Sequence, residues 1–99
     1  MFTFYSMQIF DILIEETIFT FIRVPYGKGD IWYHISFPRD EKRVTFRMCE
    51  DMNNTWTIFD IKERWIIDLQ FEFNQAINNF ENSLMLHKED LVHEIKAAS

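Results

Sequence analysis

Glycine and proline are nearly absent from this chain, with two of each in 99 residues, and there is a single cysteine, Cys49. So little glycine and proline excludes collagen-like and Gly/Pro-rich low-complexity chains. One cysteine cannot close an intrachain disulfide, so nothing here points to an oxidising compartment. No apolar run approaches the ~20 residues needed to cross a bilayer. The start of the chain also lacks the basic, apolar and small-residue sections of a signal peptide. The expectation is a cytoplasmic protein without a membrane segment, in which the glycosylation-like triplet Asn53-Asn54-Thr55 has no consequence. What is abundant is apolar: 47% hydrophobic and 17% aromatic residues, eleven of them Phe. That profile is far from disorder and suits one domain with its own core.

Residues 1–99 read as a single α+β domain, with an antiparallel five-stranded β-meander over 7–59, a long amphipathic core helix over 60–82, and a helical tail, second helix or continuation over 83–99. The strands are Ile9 to Ile14, Thr17 to Val24, Ile31 to Phe37, Arg43 to Cys49 and Thr55 to Phe59, each rich in β-branched and aromatic residues. Turns fall at Pro25 to Gly29, Pro38 to Lys42 and Met52-Asn53-Asn54. Asp60 and Glu63 resemble a capping box opening the helix. Ile61, Trp65, Ile66, Leu69, Phe73, Ala76, Ile77 and Phe80 then form one stripe that faces the sheet, with Trp65 expected against Trp56 and Phe46. Ile67 and Phe71 fall outside that stripe. Met7 is an alternative start; otherwise Phe2, Phe4 and Tyr5 extend the first strand or cover the sheet.

Side chains alternate across a strand, so a correct antiparallel register sets core residue against core residue. The shortest hairpins place Ile12 against Phe19, Phe21 against Tyr33, Ile35 against Phe46 and Met48 against Trp56, all on one face. The poorest corner is Glu15-Glu16, because a two-residue primed turn needs positive φ at both positions and glutamate resists it. A longer loop about the same centre would keep the register. On the reverse face the same register gives three rows: Asp11, Thr20, His34, Arg47 and Thr57; Ile9, Ile22, Trp32, Cys49 and Thr55; Leu13, Ile18, Ser36 and Thr45. Leu13, Ile18 and Ile22 therefore need a cover that a helix on the main face cannot supply. The candidates are the tail from Leu84 onward, the first six residues, or another molecule.

Charge is unevenly placed. Between Arg23 and Arg47 six basic residues (Arg23, Lys28, Arg39, Lys42, Arg43, Arg47) face three acidic ones (Asp30, Asp40, Glu41), a net +3 that leaves −9 for the rest of a chain whose total is −6. Trp32, His34, Arg43 and Arg47 thus form a candidate binding face of cations and aromatic rings. A pI near 4.9 and the lack of any known nucleic-acid motif argue against nucleic acid as its ligand.

No catalytic, cofactor or metal constellation stands out. In the row Asp11, Thr20, His34, Arg47, threonine separates the carboxylate from the imidazole, and arginine beside histidine opposes the imidazolium a general base must form. Cys49 has no histidine placed to activate it. His87, Asp90 and His93 recur every three residues and drift round a helix, which is poor metal-ligand geometry. Gly27-Lys28-Gly29 is too short for a phosphate loop. The expectation is a non-enzymatic protein–protein interaction module of adaptor, inhibitor or immunity type that binds either a protein partner or itself, as a homodimer, through the apolar residues Leu13, Ile18, Ile22, Ile67 and Phe71. The alternative is a small-molecule-binding domain or enzyme using the His34/Arg47 face.

Overall fold

The computed structural model describes the backbone of residues 8–27 and 29–98, and side-chain surroundings as far as Met85. The fold is α+β. Five strands, β1 (Gln8–Ile14), β2 (Thr17–Tyr26), β3 (Asp30–Arg39), β4 (Lys42–Glu50) and β5 (Trp56–Phe59), pair antiparallel in the order β1-β2-β3-β4-β5. A short helix α1 (Arg64–Ile67) and the helix α2 (Gln70–Ala98) follow. No helix among the described residues is long and apolar enough to cross a membrane. The alternative start at Met7 and the roles considered for Phe2, Phe4 and Tyr5 lie outside the described residues, as do the side chains of His87, Asp90 and His93.

Alternation in β1 to β4 builds the core. Phe19, Phe21, Tyr33, Ile35, Phe37, Phe46, Met48 and Trp56 are buried on the main face against Ile66, Leu69, Phe73, Ala76 and Ile77. Phe73 stands at the centre, with ring centroids 5.0 Å from Phe19, 5.9 Å from Phe21 and 5.6 Å from Phe46. Phe10 stacks between Phe21 at 4.7 Å and Phe80 at 4.4 Å, fastening the edge strand to the helix.

Two pairings differ from the sequence expectation by two residues. Ile12 opposite Phe19 and Ile35 opposite Phe46 are as expected, but Phe21 lies opposite Ile35 rather than Tyr33, and Met48 opposite Ile58 rather than Trp56. The cause is where the chain leaves each ladder. Pro25 and Tyr26 remain in β2, so the hairpin closes through Gly27 to Gly29 with both glycines at positive φ (50° and 94°). Pro38 and Arg39 also remain in β3, where the pairing with β4 is the expected one, and Pro38 lies beyond the last pair with β2, where proline is tolerated. At the β4–β5 turn the Asp51 carboxylate accepts from the backbone N–H groups of Asn53 (2.8 Å) and Thr55 (3.0 Å), while Asn54 sits at φ 62°. A shift of two preserves parity, so every side chain keeps its face.

The helix start also differs. Asp60 adopts φ 71° and pairs with Arg47 instead of capping, and the first helical residue is Arg64. The shifted entry moves Trp65 off the centre: it is 43% exposed and packs on the rim against Phe37 (5.4 Å) and Phe19 (6.2 Å), not on Trp56 and Phe46.

Glu15 and Glu16 do form the tight primed turn, at φ 48° and 67°, and Asp40-Glu41 form a second at 47° and 66°. Left-handed backbone costs a non-glycine residue roughly 1–2 kcal/mol, and the preferred pair for such a turn is Asn-Gly. Replacing Glu15-Glu16 by Asn-Gly is therefore expected to raise stability by about 1–2 kcal/mol, part of the relief being offset by the entropy glycine adds to the unfolded chain. Thermal melts of the two proteins check this. An unchanged or lowered midpoint would mean the turn is not under that strain.

Candidate interaction surface

The reverse face follows from the observed register. Its rows are Asp11, Thr20, Ser36 and Thr45; Ile9, Ile22, His34, Arg47 and Phe59; and Val24, Trp32, Cys49 and Thr57, with Leu13 opposite Ile18 and Pro38 opposite Arg43 at one end. The row expected to hold Asp11, Thr20, His34, Arg47 and Thr57 is therefore broken up. Ser36, not His34, stands opposite Thr20, and the row survives as two separate pairs, Asp11 with Thr20 and His34 with Arg47.

The half of this face over β3 to β5 is knitted together by its own contacts. The Arg47 guanidinium donates to both oxygens of Asp60, through Nε and through Nη2 at 3.2 Å to Oδ1, and lies 5.0 Å from the centre of the Trp32 ring. The pair holds the Asp60 carboxyl below its usual range and raises Arg47. Trp32 also meets Phe59 at 5.4 Å and Tyr26 at 6.2 Å. The Tyr26 hydroxyl and His34 Nε2 share a hydrogen bond of 3.1 Å. Arg47 and His34 thus have neighbours that occupy them, and no three His, Cys, Asp or Glu side chains converge as a metal site among the described residues. Cys49 lies opposite Trp32 as expected, and its thiol is pushed up first by burial and then by Asp30.

Arg43 is different. It is exposed, and among the described residues its guanidinium meets only hydroxyls: Ser36 Oγ at 3.0 Å and Thr20 Oγ1 at 3.3 Å, both from Nη2. Asp11 is exposed on the same face with no ion-pair partner among the described residues.

The other half, over β1 and β2, is aliphatic apart from the Asp11–Thr20 pair that divides it. Ile9 is 49%, Ile18 52% and Leu13 69% exposed, with Ile22 and Val24 half-buried beside them. Ile67 and Phe71 are also exposed, but they belong to α1 and α2 on the helix side. The five candidate apolar residues therefore lie on two sides of the molecule, with Leu13, Ile18 and Ile22 on the reverse face of the sheet.

Two features escaped the sequence reading. One is a polar junction on the core side, where Glu81 accepts from Arg23 Nε at 2.6 Å and from the Tyr33 hydroxyl, while Arg23 Nη1 also donates to Gln8 at 2.9 Å. Burial, with the Glu81 bond, raises Tyr33 far above the usual phenol range. The readable signal was Arg23 itself, which falls on the core-facing parity of β2 and so needed a partner. The other is a cavity of about 330 Å³ at the sheet end, lined in part by Asp30, Trp32, Glu50, Asp51, Trp56 and Glu81. Two of its four carboxylates, Asp51 and Glu81, already serve the structural bonds described above. Compared with protein-family models, curated proteins and solved structures, the chain matches none of them.

Proposed function

We propose that this protein is a non-enzymatic protein–protein interaction module that docks through the reverse face of its sheet, beginning at Leu13, Ile18, Ile9 and Ile22. The observation that carries the reading is the exposure of three aliphatic side chains on one face of two paired strands, Leu13 at 69% beside Ile18 and, beyond the Asp11–Thr20 pair, Ile9 beside Ile22. Exposed apolar side chains grouped on one face mark interaction sites more often than scattered single ones do. The alternative, a small-molecule or catalytic site on His34 and Arg47, has less behind it. Arg47 is engaged by Asp60 and Trp32, His34 by Tyr26, and the cavity described above adjoins this face through Trp32 and Cys49 but has neither His34 nor Arg47 in its lining. A free thiol at Cys49 is compatible with work in the reducing cytoplasm.

Site-specific photo-crosslinking in cells tests the assignment. A crosslinking amino acid at Leu13 is expected to trap one discrete protein adduct, whether a second copy or a different chain, and the same group at Met85 is expected to trap none. No adduct from Leu13, Ile18 or Ile9 under conditions where the protein is folded would remove the proposal.

A further inference from the structure

We infer that the occupant of this face is a second copy of the chain, packed face to face about a two-fold axis that runs parallel to the strands between β2 and β3. The inference rests on the docking role just proposed and adds the partner and its orientation. The two halves of the face differ: aliphatic over β1 and β2, aromatic and cationic over β3 to β5. A two-fold axis along the strands exchanges them, laying β2 on the β3 of the second copy and β1 on its β4. Ile22 and Val24 then meet the His34 and Trp32 side of the other sheet. Asp11 lands over Thr45 of the second copy, one alternation along its strand from Arg43. The carboxylate and the guanidinium left without ionic partners among the described residues are thereby paired twice, once on each side of the axis. Thr20 and Ser36, which flank the axis, are small enough to let two sheets approach to the usual ~10 Å. The other in-plane axis, perpendicular to the strands through the same row, brings Asp11 against Asp11 inside the contact, which like-charge repulsion disfavours.

Four strands overlap about this axis, with β5 beyond the edge of the second copy. Four strands at about 4.8 Å and seven residues at about 3.4 Å give an overlap of about 19 by 24 Å. That is on the order of 450 Å² per copy before side-chain relief is counted, a small interface beside the ~800 Å² per partner of a standard one, in which the two charge pairs carry the orientation.

Charge exchange in the full chain supplies the test. Asp11→Arg sets two like-charged contacts across the axis, and so does Arg43→Asp, so each variant alone is expected to self-associate ~100-fold or more weakly. An equimolar mixture of the two restores both opposite-charge contacts and is expected to recover the dimer. Sedimentation equilibrium reads the masses. Far-ultraviolet circular dichroism should stay unchanged, because both residues are exposed and surface substitutions perturb stability little. A wild-type dimer, loss in each variant and recovery on mixing support the arrangement. A dimer that persists in either variant, or a mixture that stays monomeric, overturns it. A monomeric wild-type chain whose Leu13 crosslinks to a different protein overturns the second-copy inference and leaves the docking role standing; a monomer with no adduct removes both.

Discussion

Phe73→Ala is expected to cost about 3–5 kcal/mol, the range for truncating a buried large aromatic side chain to alanine. Its ring is fully buried and packs against Phe19, Phe21 and Phe46, which come from three sequence positions on two non-adjacent strands and can meet only beneath the helix. Methyl-sized replacement leaves a void that rigid strands on either side cannot close, so the loss includes the cavity as well as the transfer of the ring. Trp65→Ala, although it removes a larger side chain, is expected to cost less than about 2 kcal/mol, because much of that ring already faces water. Urea denaturation of both variants gives the order. A larger loss at Trp65 than at Phe73 would show that the helix crosses the sheet elsewhere.

Glu81→Leu is expected to cost about 2–3 kcal/mol. The carboxylate receives the Tyr33 hydroxyl and two bonds from Arg23, and the charged side chains are only 21% and 28% exposed, so water replaces those bonds incompletely. Losing it leaves a buried phenol without an acceptor and a guanidinium with Gln8 alone among its described partners. Tyr33→Phe in the Glu81→Leu background should be nearly neutral, since the orphaned hydroxyl is then gone. A double-mutant cycle is expected to give a coupling of about 1–2 kcal/mol. Additive losses would mean that the tyrosine and the glutamate do not depend on one another.

The strands and the core-facing stripe were legible because alternation and helical spacing are properties of short windows. Phe19, Phe21, Tyr33, Ile35, Phe46 and Met48 are buried as the alternation requires, and so are Ile66, Leu69, Phe73 and Ile77 along the helix. The slip between β2 and β3 came from reading Pro25 as a turn residue, and the slip between β4 and β5 from a turn that the Asp51 carboxylate centres one residue later. Proline does punctuate strands, but at the end of a ladder it can stay in line, and the loop then shrinks to the residues that truly need positive φ. Asp60 was misread for a related reason: an acid before a helix looks like a cap, yet here the nearer cation, Arg47 on β4, claims it. The Arg23, Tyr33 and Glu81 junction joins residues 58 positions apart in the chain, a distance over which no local pattern speaks. Parity sets Leu13, Ile18 and Ile22 on the reverse face of the sheet, while Ile67 and Phe71, off the helical stripe, belong to a separate patch on the helix side.

The strand order β1-β2-β3-β4-β5 has a kinetic meaning as well. Every ladder joins sequence neighbours, so the sheet can close hairpin by hairpin with short loops and little entropic delay. The contacts that reach across the chain, Phe10 to Phe80 and Arg23 to Glu81, must wait until the helix arrives. Bonds that form after the folding barrier hardly change how fast a protein folds but strongly change how fast it comes apart. The physical expectation is therefore that the turns govern the speed of folding, whereas the clasp between the first hairpin and the helix sets the lifetime of the folded molecule.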